Sequence, residues 1–90
     1  MKTFQEFKKE LLKDPETKAE YDRLKPEYDL IRLLIKRRLN RGMTQTDVAR
    51  KLGTKQTSVS RLESGANGAS LERYAHYASA VGSKLKVSLD

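Results

Sequence analysis

Apolar side chains recur at helical spacing through six stretches of this chain and alternate strictly in a seventh. Phe4, Phe7, Leu11 and Leu12 lie near i, i+3, i+7 and predict a first helix, capped by Thr3 and running to about Lys13. Asp14-Pro15-Glu16 ends it and opens a second helix, with Asp14 as cap and proline at the first helical position. That helix is short and polar, reaches about Leu24, and has Ala19, Tyr21 and Leu24 as its apolar groups. Pro26 opens a third in the same way, to about Arg41, with Leu30, Ile31, Leu34, Ile35 and Leu39 inward and Gly42 after its end. Thr44–Leu52 carries Val48, Ala49 and Leu52 on one face, and Thr54–Ser64 carries Val59 and Leu62. Gly65-Ala66-Asn67-Gly68 is a loop by composition. Ser70 caps a last helix with Leu71, Tyr74, Ala75, Ala78 and Val81 on one face, and Gly82 ends it. In the tail, Leu85, Val87 and Leu89 alternate with polar residues, which predicts a strand. A lone strand in a helical chain must pair with another molecule or lie irregularly on the core, and pairing with its own copy in a dimer is the preferred expectation.

The stretch from Thr44 to Gly65 has the organisation of a helix-turn-helix. Each of its two short helices opens on a threonine, and Gly53 sits where the chain must turn and where a left-handed residue costs least as glycine. Thr44 and Asp47 stand at capping-box spacing, which marks the start of the first helix. This unit reads DNA by laying its second helix in the major groove.

Charge sharpens that reading. Residues 1–29 hold seven basic and eight acidic side chains, residues 30–65 nine and two, and residues 66–90 three and two. The whole excess of +7 thus falls on the segment holding the helix-turn-helix. A basic patch alone is equally well a solvated surface; with the motif it points to a nucleic acid. Ninety residues make one domain with at most a small appendage, barely large enough for a self-sufficient core, so a dimer or partner would help it. The chain has no cysteine, hence no disulfide and no thiolate metal site. No apolar run approaches a membrane span, and the charged start is unlike a signal peptide, so a cytoplasmic location is expected, with no membrane partner. His76 is the sole histidine and has no nucleophile or metal ligands set around it, so neither enzyme activity, a cofactor nor a small-molecule substrate is expected.

The residues RGMTQTDVARKLGTKQTSVSRLESG resemble the XRE family of regulators, which includes the phage repressors and Cro proteins. The match rests on Arg38, Gly42-Met43-Thr44-Gln45, Val48-Ala49, Leu52-Gly53, Val59-Ser60 and Leu62-Glu63-Ser64-Gly65. A looser pattern (Asp14-Pro15-Glu16 ahead of Tyr21, Leu24 and Glu27-Tyr28, with Gly82-Ser83-Lys84-Leu85-Lys86-Val87 closing the chain) resembles HigA-type antitoxins. The resemblance implies an all-α, lambda-repressor-like bundle with an N-terminal helical extension over 1–25, a DNA-binding domain over 26–82 and a C-terminal strand over 83–90 that can serve dimerisation. It also implies an antitoxin that neutralises a RelE/HigB-type mRNA endonuclease and represses its own operon as a homodimer on double-stranded operator DNA.

Site residues follow from both arguments. Thr44 and Gln45 begin the first motif helix, where a side-chain amide and a helix N-terminus can both address phosphate, the role the resemblance gives Gln45. Lys55, Gln56 and Thr57 open the second helix, whose first residues reach base edges; Gln56 looks like the adenine-reading glutamine of the phage repressors. Ser60 and Arg61 follow one turn on, and Asn67 lies in the loop that runs along the backbone in the family. Ser58 stands nearer the buried side. By resemblance Arg38 and Glu63 form an ion pair tying two helices, while Arg37 and Arg41 are expected to be exposed. Phe4, Phe7, Leu11, Leu12, Tyr21 and Leu24 are either cover for the core or an amphipathic face that docks in a groove of the toxin. Two other functions remain open at this level: a stand-alone XRE repressor without a toxin, and a bridging module that uses the fold mainly for protein contacts.

Overall fold

A computed structural model describes residues 3–65 and 68–90, with the side chain of Phe4 also outside the described set. The described residues form five helices: α1 (Phe4–Leu11), α2 (Pro15–Asn40), α3 (Gln45–Leu52), α4 (Gln56–Ser64) and α5 (Leu71–Ala80). Local chemistry sets most boundaries. Thr3 and Glu6 close a capping box on α1, and Asp14 accepts from the Glu16 N–H at the start of α2. Thr44 and Asp47 do the same for α3, with Asp47 N–H donating to Thr44 Oγ1 at 3.1 Å and Thr44 N–H to Asp47 Oδ2 at 2.8 Å. Gly53 ends α3 at φ +68°, the left-handed turn that sends the chain into α4.

The core lies under α3, α4 and α5 and the second half of α2. Ile31 and Leu34 from α2 meet Val48 and Ala49, Val59 and Leu62, and Tyr74, Tyr77 and Ala78, with Val81 closing the end. Leu30, Ile35, Met43, Leu52, Ala69 and Leu85 pack around this set. α1 folds back beside the first half of α2, where the Lys8 ammonium sits 4.7 Å from the centre of the Tyr21 ring.

Several expectations are corrected. The two helices expected over 15–41 are one, and it runs straight through Pro26, so the expected domain boundary at 25/26 falls inside a helix. Proline offers no N–H to the Asp22 carbonyl four residues back, but both residues are exposed, so water can take that bond. Interrupting the helix would instead expose several carbonyls and lose the continuous register. α4 begins at Gln56, with Lys55 rather than Thr54 as its cap and no side chain closing its N-terminus.

The tail is not a strand: residues 83–90 have no regular structure, with Leu85 half-buried on the core and Val87 and Leu89 exposed. Strand alternation needs a neighbouring ladder to become a strand, and among the described residues every other element is a helix. Two side chains expected inward, Leu39 and Leu71, are about three-fifths exposed, at 61% and 60%. On α2, Arg38 beside Leu39 turns inward to an ion pair; on α5, Tyr74, Ala78 and Val81 are buried as expected, and Tyr77, not expected inward, is fully buried with them.

Candidate nucleic-acid interface

The helix-turn-helix places its two glutamines against each other. Gln45, in the first turn of α3, is half-buried; Gln56, the first residue of α4, is exposed. The Gln56 Nε2 donates to Gln45 Oε1 at 2.5 Å, and Gln45 Nε2 donates to Glu63 Oε1 at 3.1 Å. They share an open cleft with Leu39, Gly42, Met43, Thr44 and Thr46 between the end of α2 and the start of α3. Thr44 itself is committed to capping α3. The Thr44 backbone N–H, bonded to the Asp47 carboxylate, holds that carboxyl below the ordinary carboxylate range.

Behind the glutamines lies the ion pair. The Arg38 guanidinium donates twice to Glu63, from Nε to Oε2 at 3.0 Å and from Nη2 to Oε1 at 3.2 Å, and its Nη1 donates to the Met43 carbonyl at 3.0 Å. The two side chains are only 12% and 7% exposed. Burial acts to lower the Arg38 pKa, but the hydrogen bond and charge of Glu63 more than offset it and the net shift is upward. The Tyr77 hydroxyl also donates to Glu63, at 2.6 Å, and burial followed by that contact pushes the phenol well above its usual value.

Lys55, at the cap of α4, and Thr57, Ser60 and Arg61 on it are exposed, while Ser58 is half-buried. Arg61 reaches a cleft of about 200 Å³ whose lining includes Ser58, Gly65, Gly68 and Arg73. Arg73, from the first turn of α5, is the cation that sequence reasoning missed; nothing in one dimension connects it to Arg61, because a loop separates them. The Asn67 expectation lies outside the described residues. Arg37 and Arg41 are exposed as expected, but Arg41 is not free: its Nε donates to the Val81 carbonyl at 3.2 Å. Its guanidinium covers Gly82, where any side chain would collide with it.

On α1 and α2, Phe7, Leu11, Leu12 and Tyr21 come together with Lys8, Thr17 and Arg32 around a mostly apolar cleft of about 210 Å³. Phe7 and Leu11 remain about half exposed. Leu24 is half-buried and does not line this cleft, and the Phe4 side chain is outside the described set. His76 is exposed, 4.0 Å from Glu72.

A short capped helix, a glycine turn and a second helix with an exposed polar face define a DNA-binding module of the helix-turn-helix class. The helix-turn-helix family model matches residues 34–87, more than half of the chain, and the chain belongs to that family, in its XRE-type form. No curated protein and no solved structure matches it. The family is a DNA-binding regulatory one and not typical of enzymes. No helix among the described residues is long and apolar enough to cross a membrane.

Proposed function

We propose that the chain is a transcriptional repressor that binds a pseudo-palindromic operator as a homodimer, with α4 in the major groove. The observation that carries this is the hydrogen-bonded Gln45–Gln56 pair at the amino ends of α3 and α4. Gln56 would read an adenine, Gln45 and the α3 N-terminus would hold a phosphate, and Lys55, Thr57, Ser60 and Arg61 would line the groove and backbone. Arg73 joins Arg61 as a second phosphate contact. Two recognition helices in a dimer would sit about 34–36 Å apart, one turn of DNA. Selection from random duplexes tests the proposal: a recovered inverted repeat with half-sites one turn apart supports it, and recovery of unrelated sequences refutes it.

The same protein would serve as the antitoxin of a RelE/HigB-type mRNA endonuclease. The supporting observation is the apolar cleft of Phe7, Leu11, Leu12 and Tyr21 on α1 and α2, which no helix-turn-helix residue lines. On this reading the N-terminal segment would meet the toxin and the rest would meet DNA. Because α2 is continuous, the informative deletion is residues 1–13, which removes α1 and spares α2. Co-expression with such a toxin should then no longer rescue growth, while operator binding persists. Growth rescue by the shortened chain would leave the stand-alone repressor as the better account.

A further inference from the structure

Side chains from three helices converge on a carboxylate of a fourth. Glu63 of α4 accepts from Arg38 of α2 through both oxygens, from Tyr77 of α5 through Oε2, and from Gln45 of α3 through Oε1. Gln45 in turn accepts from Gln56. A carboxylate can only accept hydrogen bonds, whereas a glutamine amide has one donating and one accepting end that exchange when it rotates by half a turn. Glu63 therefore compels Gln45 to point its NH₂ inward and its carbonyl at Gln56. That carbonyl compels Gln56 to turn its own NH₂ toward Gln45. One N–H and the carbonyl of Gln56 are left for a ligand, in a fixed left-to-right order. An adenine edge offers an acceptor and a donor side by side, so the order decides which way round the base must lie.

We infer that Glu63 is a positioning residue for base reading: through Gln45 it sets the amide polarity of Gln56, and so the base preference at the position Gln56 meets. The inference rests on the DNA-reading proposal above. It also explains why this carboxylate sits buried among four donors when a single arginine would neutralise it. Tyr77 and Arg38 hold the carboxylate, but the relay leaves it through Oε1 alone.

Two readouts separate the relay from the DNA proposal. The first is the side-chain amide signals of Gln45 and Gln56 in ¹H–¹⁵N spectra of the full chain without DNA. Glu63→Gln, which presents an amide that can face either way, should move the Gln56 signals toward those of free glutamine. Tyr77→Phe, which spares Oε1, should lower the melting temperature and leave those signals in place. The second readout is selection from randomised duplexes. Glu63→Gln should cut the preference at the base pair met by Gln56 about tenfold while affinity for random DNA is kept. Should Glu63→Gln fail to fold, Gln45→Met breaks the relay with the ion pair intact and should give the same loss of preference. Unchanged Gln56 signals, or an unchanged base preference, in the folded variant overturns the inference. If the wild type selects no sequence yet Glu63→Gln moves the Gln56 signals, the relay stands and the DNA-reading proposal falls.

Discussion

Gln56 and Arg38 show two kinds of dependence on a single side chain. Gln56 is exposed and its one side-chain bond runs to the half-buried Gln45, so its loss should cost little stability. Gln56→Ala should weaken operator binding about 10-fold to 100-fold, in line with one lost bidentate base contact, and leave random-DNA binding nearly unchanged. Titrating both duplexes at one salt concentration checks this; equal loss on the two would mean that Gln56 reads no base. Arg38 is the opposite case. Arg38→Met would leave the Glu63 carboxylate buried without its guanidinium, and urea unfolding should show a loss of about 3 kcal/mol or more. The Arg38–Glu63 pairing was anticipated from family likeness, since twenty-five positions separate the partners and no local rule joins them. Tyr77 was missed because a tyrosine reads as amphipathic; only the presence of Glu63 beneath it lets its hydroxyl be buried at no unsatisfied cost.

Helix starts were legible in the sequence where a side chain caps its own helix, as at Thr3, Asp14 and the Thr44–Asp47 capping box. α2 was not legible, because Pro26 is compatible both with a new helix start and with an exposed interior position. Its tolerance there is measurable. Pro26→Ala restores an N–H for the Asp22 carbonyl and should stabilise the fold by about 1–3 kcal/mol, read as a higher urea midpoint. No change, or a loss, would mean that the proline shapes a bend the fold requires. The α3 cap carries a pH signature. The Asp47 pKa lies below its ordinary value of 3.8, so the folded state keeps its carboxylate ionised where the unfolded chain takes up a proton. The contribution is present above about pH 4 and is lost as pH falls through the folded value. Asp47→Asn should flatten that part of the acid unfolding curve.

For the molecule as a whole, α5 is tied to α2 and α4 through two tyrosines. Tyr74 donates to Glu27, and burial followed by that contact raises its pKa from 10 to about 12; Tyr77 moves the same way. Both phenols stay neutral in the fold where the unfolded chain ionises. Stability should therefore hold up to about pH 10 and decline between pH 10 and 12, and Tyr74→Phe should remove part of that decline. Charge acts over the same scale. Operator affinity should fall steeply with salt, and Arg61→Ala should reduce the slope of the log–log plot by about one. A flat salt response would contradict binding through the basic segment.

The helix-turn-helix, its capping box, its glycine turn and the basic bias of residues 30–65 could all be read from the chain alone, because each depends on neighbours a few residues apart or on composition. The continuous α2, the irregular tail and the Arg38–Glu63–Gln45–Gln56 network took shape only in three dimensions. A proline breaks or joins a helix according to whether the freed carbonyl meets water. An alternating tail becomes a strand only beside another strand. A buried carboxylate orients an amide only when packing brings helices distant in sequence to the same point. These outcomes turn on long-range contacts, which local spacing does not encode.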